Sequence, residues 1–163
     1  MNRYRLENLQ KVTESIRKGK RIILFPPGMF SLVSLVLILI ITTVLAVSSI
    51  INLFFSEHGF ETTAILQFSG LGIAFVFAIF PNLMILSGKK KFSVLCFYYS
   101  IALLVVSSAI LLVGLTGLFN LNNAFMPLLS SIGLSIISIF VYRSASYLLI
   151  KEFFYLLKNP EAN

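Results

Sequence analysis

Long uncharged runs alternate with short charged ones along this chain. Met29 to Phe55, Ala64 to Gly88, Phe92 to Phe119 and Ala124 to Tyr142 contain no Asp, Glu, Lys, Arg or His. Each reaches the length of about 20 residues that an α-helix needs to cross a hydrocarbon layer roughly 30 Å thick. The strict apolar/polar alternation of a barrel strand is missing, and a lone segment in lipid must pair its own backbone groups, so helix is the spanning form. The first and third runs exceed one bilayer thickness, which implies tilt or ends that emerge from the hydrocarbon. The pattern predicts an all-α polytopic membrane protein with a transmembrane domain over 29–142, preceded by a segment 1–28 and followed by a segment 143–163.

Both flanking segments read as helical. In the first, Leu6, Leu9, Val12, Thr13 and Ile16 share one face, while Glu7 with Lys11 and Glu14 with Lys18 form acid-before-base pairs at the spacing that supports a helix. This amphipathic helix is expected either to lie on the inner leaflet or to serve as a docking arm. Phe25, Pro26, Pro27 and Gly28 then form an elbow before the first span. After the fourth span, Ser144 to Lys158, rich in Leu, Phe and Tyr, is too apolar for a free tail and too interrupted by Arg143, Lys151 and Glu152 for another crossing. The fourth helix is expected to continue as a stalk packed on the N-terminal helix or on a second copy; the alternative is an interfacial anchor with a Phe and Tyr belt.

Composition agrees with membrane residence: 58% of residues are hydrophobic and 12% charged, where a soluble domain carries about a quarter charged residues. All 13 Lys and Arg fall in three places. Arg3, Arg5, Lys11, Arg17, Lys18, Lys20 and Arg21 precede the first span; Lys89, Lys90 and Lys91 join the second to the third; Arg143, Lys151 and Lys158 follow the fourth. The remaining connections, Ser56 to Thr63 and Asn120 to Asn123, carry only Glu57, His58, Glu61 and neutral residues. The positive-inside rule therefore puts both termini in the cytoplasm, and the compact layout points to a bacterial inner membrane. The net charge of +7 is accounted for by this topology, with anionic lipid headgroups as partners at about 1 kcal/mol per basic residue. No nucleic-acid motif accompanies it, so nucleic acid is not an expected partner. Ala46, Val47 and Ser48 resemble a signal-peptidase site, but the apolar run continues past them and the basic region before it is too long, so the first span is read as uncleaved.

Candidate chemistry is sparse. No ionisable residue lies within a span apart from the lone Cys96 and tyrosines, so the chain has no intramembrane proton relay or carboxylate pair. His58 with Glu57 and Glu61 is too little for a zinc site, serines have no neighbouring base, and phosphate-cradling glycine motifs are absent. The chain is read as a non-enzyme without cofactor or metal. Cys96 reads as a small packing residue. The partner and lipid contacts are expected at Arg3, Arg5, Lys11, Arg17, Lys18, Lys89, Lys90, Lys91, Arg143 and Lys151, with Arg143 either snorkelling to headgroups or lining an inner vestibule. Pro81 should kink the second span, Asn82 should cap the freed carbonyl or reach a neighbouring helix, with a pore or ligand contact as the alternative, and Gln67 marks its outer end. Small residues on the second, third and fourth spans, above all Ser130, Ser131, Gly133, Ser135 and Ser138, permit close helix packing or, alternatively, a narrow aqueous path. The first span, poorer in small residues, is expected to face lipid. So much packing surface predicts a homo-oligomer.

The layout of four spans with short outer loops and both ends inside is similar to that of some pore-forming bacteriocin immunity proteins and of membrane subunits of phage-defence systems such as Kiwa. The resemblance is one of topology and carries no motif. It implies a membrane sensor, scaffold or immunity-type subunit that recruits a cytosolic partner through its basic helices; the alternative is a small homo-oligomeric channel or transporter.

Overall fold

The computed structural model describes residues 3–20, 25–54, 60–118 and 124–159. They form α1 (Arg3–Arg17), α2 (Met29–Phe54), α3 (Phe60–Ala74), α4 (Phe80–Leu86), α5 (Ser93–Val113), α6 (Phe125–Arg143) and α7 (Ala145–Lys158). A π-helical turn, Phe75–Ile79, joins α3 to α4 in one continuous rod. Four helical stretches are long and apolar enough to cross a membrane: Met29–Phe54, Glu61–Leu86, Lys90–Thr116 and Phe125–Arg143.

The core of the bundle follows a spacing of three and four residues. On α2 the buried positions include Leu32, Leu35, Leu39, Thr42, Ala46 and Ser49; on α5, Ser93, Cys96, Ser100, Leu103 and Ser107; on α6, Leu128, Ser131, Ser135 and Ser138. Such spacing, 3.5 residues on average, is the one that keeps a seam facing its neighbour when helices pack nearly aligned. Small side chains along it let the backbones approach. The opposite stripe of α2, Val33, Leu37, Ile41 and Val44, is exposed.

The first span is thus a central helix and does not stand aside in lipid as its composition led us to expect. α2 packs on α6 most extensively, and on α3 as well. Two fully buried leucines, Leu35 and Leu39, anchor its N-terminal half, while Thr42, Thr43, Ala46 and Ser49 supply the small surface that the count of Gly and Ala understated.

Most hydroxyls of the core are paired locally or across one helix interface, while those of Ser135 and Tyr147 are buried without a hydrogen-bond partner. Thr42, Thr43, Ser49 and Ser100 each donate to the carbonyl four residues back, a pairing open to Ser and Thr in helices. Thr43 Oγ1 also meets the Tyr99 hydroxyl at 2.6 Å, and Ser107 Oγ meets Ser131 Oγ at 2.8 Å. Ser131, Ser135 and Ser138 are fully buried and pack within this chain, whereas Ser130 of the same row is exposed.

The π turn has a sequence cause. Pro81 has no N–H to offer the carbonyl four residues back, and the ladder widens just before it: the Phe80 N–H donates to the Phe75 carbonyl, five residues back. The Phe77 carbonyl left without its proline donor faces the Cys96 thiol, with Sγ at 3.9 Å. Asn82 is buried and donates to the Ala78 carbonyl at 2.6 Å and towards Cys96 Sγ at 3.3 Å.

The fourth span does not continue into a stalk. Ser144 leaves the helical region with φ −63 and ψ 146, and its hydroxyl accepts from the Tyr147 N–H, so it caps the start of a separate helix. α7 folds back across the end of the bundle, where it packs on α2, α4, α6 and α1. Tyr147 and Ile150 join the bundle core beside Leu32, Leu35 and Ile85. Burial pushes the Tyr147 phenol well above its ordinary pKa.

Candidate functional site

Among the described residues, the basic side chains of α1, the lysine turn and α7 lie at one end of the molecule. α7 is the hub. On one side it carries α1: Leu9, Phe153 and Leu156 form a small second core, with Val12, Ile16 and Leu149 packed around it. Thr13 is buried in the same interface, its hydroxyl donating to the Gln10 carbonyl at 2.8 Å. Arg17 Nη2 donates to the Leu156 carbonyl at 2.6 Å. A cation on the last-turn carbonyls of α7 satisfies an acceptor that the helix leaves open and complements its dipole. The exposed Glu14–Lys18 pair, at 3.9 Å, contributes little by comparison.

On its other side α7 meets the lysine turn between α4 and α5. Lys90 Nζ is 3.3 Å from Glu152 Oε2 and sits 3.8 Å from the centroid of the Tyr155 ring. The turn itself is a Schellman closure of α4: Gly88 N–H donates to Ile85 and Lys89 N–H to Met84, with Gly88 at φ +86. A side chain at Gly88 would press on Lys158, since a Cβ there would lie 2.7 Å from Lys158 Cβ.

Two concavities result. The larger, about 530 Å³, is an apolar groove between α1, the elbow and the start of α7, lined by Asn8, Leu9, Val12, Pro27, Ala145 and Leu149 among others. The smaller, about 340 Å³, opens between the lysine turn and the end of α7, with Lys89, Lys90, Lys91, Phe92, Tyr155 and Asn159 on its walls.

The sequence-predicted residues divide accordingly. Lys89, Lys90 and Lys91 form one wall of the smaller pocket, and Arg17 braces α1 on α7. Lys11 and Lys18 lie on the exposed face of α1, and Lys151 is half-buried on α7. Arg143 ends α6 with its guanidinium carbon 5.6 Å from the centroid of Phe97. The side chains of Arg3 and Arg5, with Arg21, Glu57 and His58, lie outside the described residues. Pro81 and Asn82 are inside the bundle, away from both concavities. Gln67 is exposed on α3 and borders a crevice of about 220 Å³ shared with Val44, Val47 and Ser48 of α2. Glu152 and Tyr155, which hold Lys90 in place, were missed by sequence reasoning; their spacing of three on a helix was the available signal.

Among the described residues no group of His, Cys, Asp and Glu is large enough to hold a metal ion. This end presents apolar surface in one concavity and lysine side chains in the other. No family model matches the chain, and no curated protein or solved structure matches it.

Proposed function

We propose that this chain is a non-enzymatic bacterial inner-membrane subunit, of the sensor, scaffold or immunity type. In this reading it crosses the bilayer four times with both termini in the cytoplasm and holds a cytosolic protein partner on the layer formed by α1 and α7. The observation that supports it best is that both flanking helices are folded together into one layer at the basic end, with an apolar groove left open between them. Tails that served only to hold the chain at the membrane would need no shared core. The strict segregation of Lys and Arg supports the cytoplasmic placement of that layer. The exposed apolar residues of α2, α3, α5 and α6 face lipid and, in a homo-oligomer, further copies.

The test is retrieval of the full-length tagged chain from its host in mild detergent, with mass spectrometry of what accompanies it. Asn8→Arg with Ala145→Arg fills the groove from two exposed positions and leaves both cores intact. A stoichiometric cytosolic partner that is lost from this double variant supports the reading. Equal retrieval by wild type and variant overturns it. Deleting 144–163 is a poorer test, because it also strips Tyr147 and Ile150 from the bundle.

The alternative, a channel made by several copies, would run its path between subunits, since Ser131, Ser135 and Ser138 of α6 are buried within the single chain and only Ser130 is exposed. It requires solute flux in liposomes, and flat traces across salts and voltages count against it.

A further inference from the structure

We infer that the pocket under the lysine turn binds a phosphate-ester oxyanion, the group presented by an anionic lipid headgroup. The pocket is a product of tertiary packing, because its walls come from two elements far apart in sequence: the 89–92 turn and the Tyr155 and Asn159 end of α7. Its shape is held from behind. Gly88 in the left-handed region fixes the turn, and Lys90 is pinned by Glu152 and the Tyr155 ring.

Charge at this place is one-sided. Lys89, Lys91 and Lys158 are exposed; among the described residues Glu152 is the one carboxylate in the cluster, and its ion pair is with Lys90. Lys89 and Lys91 therefore stand on the pocket's wall with no ion pair among the described residues, and Lys158 lies just outside it behind Gly88. Lysine is a compact point charge with three rotatable N–H donors, and ammonium groups bind phosphate oxygens in that way. Basic pockets between spanning helices at the cytoplasmic boundary take phospholipid headgroups on these grounds. Phe92, half-buried at the mouth where α5 begins, adds apolar surface beside the charges, as an amphiphile requires.

The lipid as source of the oxyanion rests on the membrane reading above; the oxyanion site itself does not. The experiment is native mass spectrometry of the full chain in a neutral detergent, titrated in separate arms with phosphatidylglycerol, phosphatidylcholine and inorganic phosphate. A one-to-one phosphatidylglycerol adduct is expected, with weaker retention of phosphatidylcholine. Lys89→Ala with Lys91→Ala should weaken the adduct roughly 25-fold, from about fivefold per lysine. Lys11→Ala with Lys18→Ala removes the same charge from the exposed face of α1 and should leave it within about twofold. Thermal unfolding of both doubles is expected to match wild type, since all four lysines are exposed. Phosphate bound as tightly as the lipid would support the oxyanion site and assign its source to a free anion. Equal losses in the two doubles, or no adduct with either anion, would overturn the site. Because the assay runs in micelles, its failure is distinct from failure of partner retrieval or of the assigned orientation.

Discussion

Replacing Gly28 by alanine is expected to lift α7 off the elbow and to destabilise the folded chain by about 2–5 kcal/mol. Gly28 sits at φ +86, where an L side chain adds roughly 1–2 kcal/mol of strain. A Cβ at this position would also collide with the Ser146 carbonyl and come within 3.2 Å of Ile150 Cβ. Backbone cannot swing aside as the end of a lysine does, and forced overpacking of this kind typically costs about 1–3 kcal/mol more. Gly133 provides the contrast: it is helical, a Cβ there would meet nothing within 4 Å, and alanine should stabilise by about 0.5–1 kcal/mol. Unfolding of both variants in one detergent, with hydrogen exchange of the α7 amides, checks the pair. Equal stability of the two would show that the elbow does not seat α7 on Gly28.

Phe153→Ala should separate the two cores of the molecule. Phe153 is 2% exposed and packs with Leu9 and Leu156, apart from the bundle core that contains Tyr147 and Ile150. Truncating a buried phenylalanine costs about 3–5 kcal/mol, and α1 has little else to hold it: the Arg17 bond to the Leu156 carbonyl is worth about 1.5–3 kcal/mol as a charged hydrogen bond in a favourable setting. α1 should therefore lose protection against hydrogen exchange while the four long helices keep theirs. Under the proposed function the variant also loses the cytosolic partner. Protection of α1 at the wild-type level would place its anchor elsewhere.

Much of this architecture was legible in the sequence, for reasons that differ by feature. The four long helices were evident because the cost of burying charge in hydrocarbon keeps Asp, Glu, Lys and Arg out of spans, and the uncharged runs match their ends closely. The helical face of Leu9, Val12, Thr13 and Ile16 was visible from spacing alone, and this face meets α7. The centrality of α2 was misread because small residues were counted by type, whereas the seam is set by their spacing: Leu35, Leu39, Thr42, Ala46 and Ser49 repeat by three and four. The break at Ser144 was missed since Ser is common inside membrane helices; only the cap geometry separates the two uses. The lysine pocket was half visible. Lys89, Lys90 and Lys91 stood out as charge, but Glu152, Tyr155 and Asn159 become their neighbours only through the return of α7, a contact that no local pattern encodes.

The central claim is that the chain crosses a bilayer four times, with α1, the lysine turn and α7 on one cytoplasmic face. Single cysteines at Lys18, Lys89 and Lys158, each in a Cys96→Ala background, and a fourth at Glu57 test it with a membrane-impermeant maleimide on right-side-out and inverted inner-membrane vesicles. The account predicts labelling of the first three in inverted vesicles alone and of Glu57→Cys in right-side-out vesicles alone. Labelling of Lys18→Cys and Lys158→Cys from opposite faces would contradict it.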